Sequence, residues 1–177
     1  MKMNKRGFTL VELAVVLIII GIILGAVLKG RDIVRSARIK QYYNRFIKAW
    51  EIAVLSWEDR TGTRIKDANT TSDMDDVVSD LKEKGLRPPA SNTDKAYKEI
   101  MVGKYNQETV TLYIDTKTVG DKTGKCFYLT DMPADIAMAM DTIIDGKANG
   151  TDGDFVNESD SDWPDANSTV NCVYWLD

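Results

Sequence analysis

Residues 5–28 read KRGFTLVELAVVLIIIGIILGAVL, and this stretch decides the fold. Phe8 to Leu28 supplies about the twenty residues that cross hydrocarbon as an α-helix. Glu12 is the run's single strongly polar member, and a carboxylate inside such a run is costly and kept for a partner. Gly21 and Gly25 stand four apart, a spacing that lets another helix approach closely. The run is long for the core of a secretory signal, and no small-residue cleavage site follows it. A plain single-pass anchor satisfies the hydropathy equally well. Charge does not orient the segment, because Lys2, Lys5 and Arg6 on one side face Lys29, Arg31, Arg35, Arg38 and Lys40 on the other.

The helical period persists beyond Leu28. Ile39, Tyr42, Tyr43, Phe46, Ile47, Trp50, Ala53, Val54 and Trp57 recur at steps of three and four, which gives one apolar face. Asp59 to Gly62 supplies a stop. A helix from Thr9 to about Glu58 would be roughly 75 Å long at the usual rise per residue. Its first half is apolar all round, and its second half needs a cover. At this spacing the aromatic residues belong to a core packed against a sheet, in preference to a ligand surface.

Residues 63–95 are polar and connecting. Within them Ser72 to Lys84 forms a short predicted helix, with Ser72 as N-cap and Gly85 just past its end. Pro88-Pro89 then forces an extended turn. Tyr97–Val102 and Thr109–Ile114 read as a hairpin, the second strand alternating Val110, Leu112 and Ile114. Cys126–Leu129 and Val170–Leu176 are further strand candidates. Pro133 to Ile144 reads as a helix capped by Asp131 and closed by Gly146, with Ile136, Met140, Ile143 and Ile144 on one side. Met138 and Met140 are core packing. The order is a long helix, a connection, an antiparallel sheet and a C-terminal region, hence an α+β fold without internal repeats.

The chain has 177 residues, enough for one domain with a modest core, and a formal charge of −4. Removal of the first seven residues would take away three positive charges and leave −7, which argues against general nucleic-acid affinity. There is no histidine, so Ser-His and Cys-His catalysis and the usual zinc sites are excluded. Cys126 and Cys172 form no metal-binding pair by spacing. If this part of the chain lies outside the cytoplasm, they read as one disulfide, contributing about 4 kcal/mol on the chain-entropy model.

Lys5-Arg6-Gly7-Phe8-Thr9-Leu10-Val11-Glu12 resembles the processing site of type IV pilins and type II secretion pseudopilins. The resemblance covers about the first thirty residues. It implies that a prepilin peptidase cuts after Gly7 and methylates the new amino terminus of Phe8. It also implies an inner-membrane, single-pass precursor with a cytoplasmic N-terminus, which later enters a periplasmic or extracellular filament. The domains are then a leader at 1–7, a transmembrane and filament-core half-helix at 8–29, an amphipathic half at 30–60, and an extracytoplasmic α+β domain at 61–177. The layout is similar to the pilin fold, a long helix packed on a small antiparallel sheet with a disulfide-bounded C-terminal region, here between Cys126 and Cys172.

The resemblance gives the glutamate a role in assembly. Cutting at Gly7 frees an amine, and Glu12 would pair with the amine of a neighbouring subunit, fixing axial stagger because a broken pair leaves a charge in an apolar bundle. The implied partners are identical or related pilin subunits, the peptidase, the membrane, and an inner-membrane assembly platform. Many major pilins have a proline near the end of the apolar run. Here Lys29 and Gly30 stand instead, which favours a minor pilin or pseudopilin and leaves Gly30 as the source of any softening. The alternative is a membrane-anchored extracytoplasmic binding domain that never polymerises.

Residues 145–165 are rich in Asp, Asn and Gly. Asp152, Asp154, Asp160 and Asp162 are candidate calcium ligands, since calcium takes six to eight oxygens and some pseudopilins order a loop here with it. The spacing is not that of an EF-hand, and a solvated acidic loop is the plainer reading. No cofactor is required. Carboxylate pairs also serve hydrolysis, but no nucleophile constellation accompanies these, and the chain is expected to be a substrate of the peptidase and no enzyme itself.

Overall fold

A computed structural model describes residues 9–176. The chain divides into two units, Met1–Arg38 and Ile39–Asp177. Helix α1 spans Leu10–Tyr42 and is followed by a π-helical turn at Tyr43–Ile47 and by α2 at Lys48–Thr61. Then come α3 (Thr71–Glu83), β1 (Lys98–Val102), β2 (Gln107–Val119), β3 (Lys122–Pro133), α4 (Ala134–Ile144), β4 (Phe155–Asn157) and β5 (Thr169–Trp175).

In the first unit the apolar helix has no cover: Leu10 through Leu28 are exposed along their whole length. Gly30 lies within unbroken α-helix. The irregularity comes later, at Tyr43–Ile47, where one extra residue widens the turn. Both Phe46 and Ile47 are fully buried in that turn.

The second unit is built on a five-stranded antiparallel sheet of order β1-β2-β3-β5-β4. Its inner face carries Val110, Leu112 and Ile114 of β2, Phe127 and Leu129 of β3, and Cys172 and Tyr174 of β5. Against these pack Ile39, Tyr42, Phe46, Ile47, Trp50, Ala53 and Val54, as the helical period predicts. The indole of Trp50 donates to Ala96 O at 2.9 Å, so the largest buried side chain has its polar atom satisfied. Lys48 donates to Glu51 and to the Tyr174 hydroxyl, and that hydroxyl donates to Glu51, which ties α2 to β5.

A fully buried carboxylate, Glu99 of β1, lies on this inner face. Arg45 in the π turn donates to it, and the backbone N–H of Asn92 donates to its other oxygen at 3.0 Å. The outer edge of β1 is occupied by side chains. Asn92 bonds both the N–H and the C=O of Ile100, and the Tyr42 hydroxyl accepts from Val102 N at 3.1 Å. An edge so occupied is a poor template for a further strand.

Strand alternation overturns the expected disulfide. Cys126 pairs with Trp175 across the ladder, and Leu129 pairs with Cys172. Cys172 is on the inner face with Leu129, whereas Cys126 is on the outer face with Val119, Val156, Val173 and Trp175. Residues an odd number of places apart in register point to opposite faces, so the two sulfurs are on opposite sides of the sheet. Both are free, buried thiols.

Other expectations shift in detail. The α3 N-cap is Thr70, two residues before Ser72, in a capping box with Asp73; Gly85 follows the helix with φ of 71° as expected. Asp131 does not cap α4. It lies in a bulge of β3 with φ of 59° and donates its N–H to Asn171 Oδ1. The N-cap position is Pro133, and Ala134 N is satisfied by Ser168 O at 3.0 Å. Ile136 and Met140 are buried, whereas Ile143 is over one-third exposed. The hairpin, β3 and β5 fall on the predicted strand candidates, and β4 is an added strand inside the acidic segment.

Candidate processing and assembly site

The chain enters α1 through a capping box. Thr9 is the N-cap and Glu12 the third helical residue. Thr9 N donates to Glu12 Oε2 at 2.7 Å, Thr9 Oγ1 donates to the same oxygen at 2.9 Å, and Glu12 N donates to Thr9 Oγ1 at 3.2 Å. These bonds satisfy amides that a helix start otherwise leaves without acceptors, and they set a negative charge where the helix dipole favours it. Thr-x-x-Glu before an apolar run is the local signal that specifies such a helix start. The carboxylate is therefore engaged within its own subunit, through one oxygen. Gly7 and Phe8, the expected processing residues, lie outside the described residues.

Along the helix, a methyl group placed on Gly21 or Gly25 would touch nothing within 4 Å. The two glycines leave a shallow strip on a helix whose exposed Leu, Ile and Val side chains surround it. The segment is apolar and long enough to cross a membrane. Such a surface is stable only in lipid or among other apolar helices.

The four candidate calcium ligands are not gathered in one place: Asp152 and Asp160 line one hollow, and Asp162 lines another. Asp152 accepts from Asn149 Nδ2 at 3.0 Å, Asp154 is 3.8 Å from Lys122 Nζ, and Asp160 faces Gly120. Asp162 presents its backbone carbonyl to Asn157 Nδ2. Among the described residues no group of three acidic, cysteine or histidine side chains is placed to hold a metal ion. The segment is instead ordered by carboxylates that accept backbone N–H groups. Asp145 accepts from Asp154 N and Phe155 N, both at 3.0 Å, and Asp141 accepts from Asn149 N at 2.6 Å.

On the outer face, Glu158 accepts from Lys117, Tyr128 and Asn171. Lys117 Nζ also stands 3.9 Å above the Tyr128 ring. Burial acts to raise the Glu158 carboxyl, but the bonds from Asn171, Tyr128 and Lys117 outweigh it and hold the group below its ordinary range. The network borders a polar groove of about 420 Å³ that Asn157, Ser161 and Asp162 also line. Neither it nor the Arg45–Glu99 pair was legible in the sequence, since its members are 11 to 54 residues apart and carry no local signal.

Residues 2–28 match the family model of the prokaryotic N-terminal methylation motif. This segment is the prepilin-type signal of type IV pilins and pseudopilins, and it supports a pilin-like or pseudopilin substrate of prepilin peptidase. No curated protein and no solved structure matches the chain.

Proposed function

We propose that this chain is a structural subunit, a minor pilin or pseudopilin, of a type IV pilus-like filament. The observation that carries the proposal is an apolar helix exposed on every side, headed by the methylation motif and by one carboxylate. In the membrane, lipid covers that helix; in a filament, neighbouring helices replace the lipid, with close approach at Gly21 and Gly25. Cleavage after Gly7 frees the amine of Phe8, and Glu12 exchanges part of its capping role for an ion pair with a neighbour's amine. An ion pair in an apolar bundle sets register, because slippage strands a charge. Absence of a proline near Lys29–Gly30 favours the minor pilin or pseudopilin. The domain of residues 61–177 would face outward, away from the cytoplasm.

The test is peptide mass spectrometry of the chain expressed with and without a prepilin peptidase. The expected product begins at Phe8 and carries a methyl group. The processed chain should then co-purify with sheared filaments or a secretion pseudopilus. Processing without filament incorporation would replace the subunit reading with a tethered, non-polymerising binding domain. An uncut Met1 terminus would leave only a membrane anchor.

A further inference from the structure

Two carboxylates stand one turn apart at the C-terminal end of α4, Asp141 within the helix and Asp145 as its C-cap. Together they fasten residues 146–163 to the helix. Asp141 Oδ2 accepts from Asn149 N at 2.6 Å and from Trp163 Nε1 at 2.7 Å. Asp145 spends both oxygens, Oδ1 on Asp154 N and Oδ2 on Phe155 N. The loop is packed tightly onto these anchors. A methyl group at Gly153, whose φ is 111°, would fall 2.5 Å from the Asp145 carboxyl, and one at Gly150 would fall 2.4 Å from Ser161 O.

One atom in this arrangement is unaccounted for. Asp141 has no exposed surface, and among the described residues no donor reaches its Oδ1. Asp145 stands one turn further along the chain, and its negative charge disfavours a second charge on Asp141. Two ionised carboxylates are both acceptors, so a bond between them requires a proton. A buried carboxylate oxygen without any donor is expensive, and a like charge beside it adds to the cost. Asp145 has both oxygens engaged, so the atom free to carry the proton is Asp141 Oδ1.

We propose that Asp141 carries a proton on Oδ1, directed at Asp145, and that this proton latches residues 146–163 to α4, making closure of this loop sensitive to pH. A divalent cation fits the place poorly. Calcium takes six to eight oxygens, whereas two carboxylates are present and three of their four oxygens already accept N–H bonds.

The surroundings agree. Burial is the leading influence on Asp141 and raises its affinity for a proton; the bonds from Trp163 and Asn149 oppose it, and Asp145 reinforces it. From β5 the Cys172 thiol lies near Asp141, and burial and the nearby acids Asp141 and Glu158 keep it protonated. Where α4 packs on β3 and β4, the buried neighbours are uncharged: Met132 from β3, and Phe155 and Asn157 from β4. Trp163 and Asn149, from the loop, do not titrate. The sign follows from the folded state binding the proton more tightly than the unfolded chain. The latch is complete below the ordinary carboxyl range and is lost as pH rises through the folded-state value. Glu158, held low, acts in the opposite sense.

The test is hydrogen exchange, followed by mass spectrometry, of the full chain in detergent micelles from about pH 4 to pH 8, corrected for intrinsic rates. Peptides covering 146–163 should lose protection as pH rises, by up to about tenfold per pH unit for one linked proton. Asp141→Asn has the geometry of the protonated acid, its carbonyl accepting from Asn149 N and Trp163 and its amide donating to Asp145. It should keep the loop protected and flatten the pH dependence, whereas Glu158→Gln should leave that dependence in place. The proposal is overturned if D141N retains the wild-type pH dependence, or if it opens the loop at every pH while the sheet stays protected. Restoration of wild-type protection at high pH by added calcium would equally overturn it, in favour of a cation. Should D141N not fold, carbon-13 carboxyl NMR of the wild-type chain decides. Titration of Asp141 above the ordinary aspartate range supports the latch, and titration within that range overturns it.

Discussion

At the scale of single residues, Glu12 has two tasks that a substitution can separate. Glutamine at this position still closes a capping box with Thr9 but carries no charge. Glu12→Gln should therefore leave the helix start intact, by circular dichroism in micelles, and depress filament incorporation as strongly as Glu12→Ala does. Normal incorporation of either variant would remove the register role. Arg45 and Glu99 form the corresponding pair inside the second unit, where Glu99 is wholly buried and Arg45 is 38% exposed. Removing the arginine leaves a buried charge without its partner. With a discount for the exposed end, Arg45→Ala should cost about 2 kcal/mol in denaturant unfolding, and Arg45→Met with Glu99→Leu should recover much of it.

Elements carry the next level of consequence. The π turn at Tyr43–Ile47 lies between α1 and α2 and holds Arg45 together with the buried Phe46 and Ile47. Periodicity alone located the buried face but not the turn, because one extra residue hardly disturbs steps of three and four. β3 and β5 show the converse case. Their positions were legible as apolar, strand-like runs, but the partnership of their cysteines was not. Parity within each strand was visible; the register between strands was set by the bulge at Asp131 and by packing. Burial pushes the Cys126 thiol up to about 12 and the Cys172 thiol well above its ordinary value. Both should resist alkylation in the native chain at about pH 8 and react fully in denaturant without any reductant. Protection that survives denaturant but yields to reductant would restore the disulfide.

For the whole molecule, the contrast between the two units is the useful quantity. Residues 10–28 expose apolar surface throughout, whereas the second unit encloses Trp50, Phe46, Phe127 and Phe155 completely. Detergent withdrawal should therefore aggregate the chain through its first unit while near-ultraviolet circular dichroism of the second persists. Loss of both signals together would mean that the second unit depends on the membrane segment for its fold.

Sequence by itself determined the apolar helix, the methylation motif, the buried face from Ile39 to Val54 and most strands, because each is written in local periodicity or in contiguous residues. Tertiary structure alone decided which side of the sheet each cysteine occupies, that Glu99 lies under Arg45, that the acidic segment is fastened by its own aspartates, and that Asp141 is left with one oxygen to fill. These depend on register and on contacts between residues far apart in the chain. A pattern read along one strand or helix records which side chains share a face, but not what is brought against it.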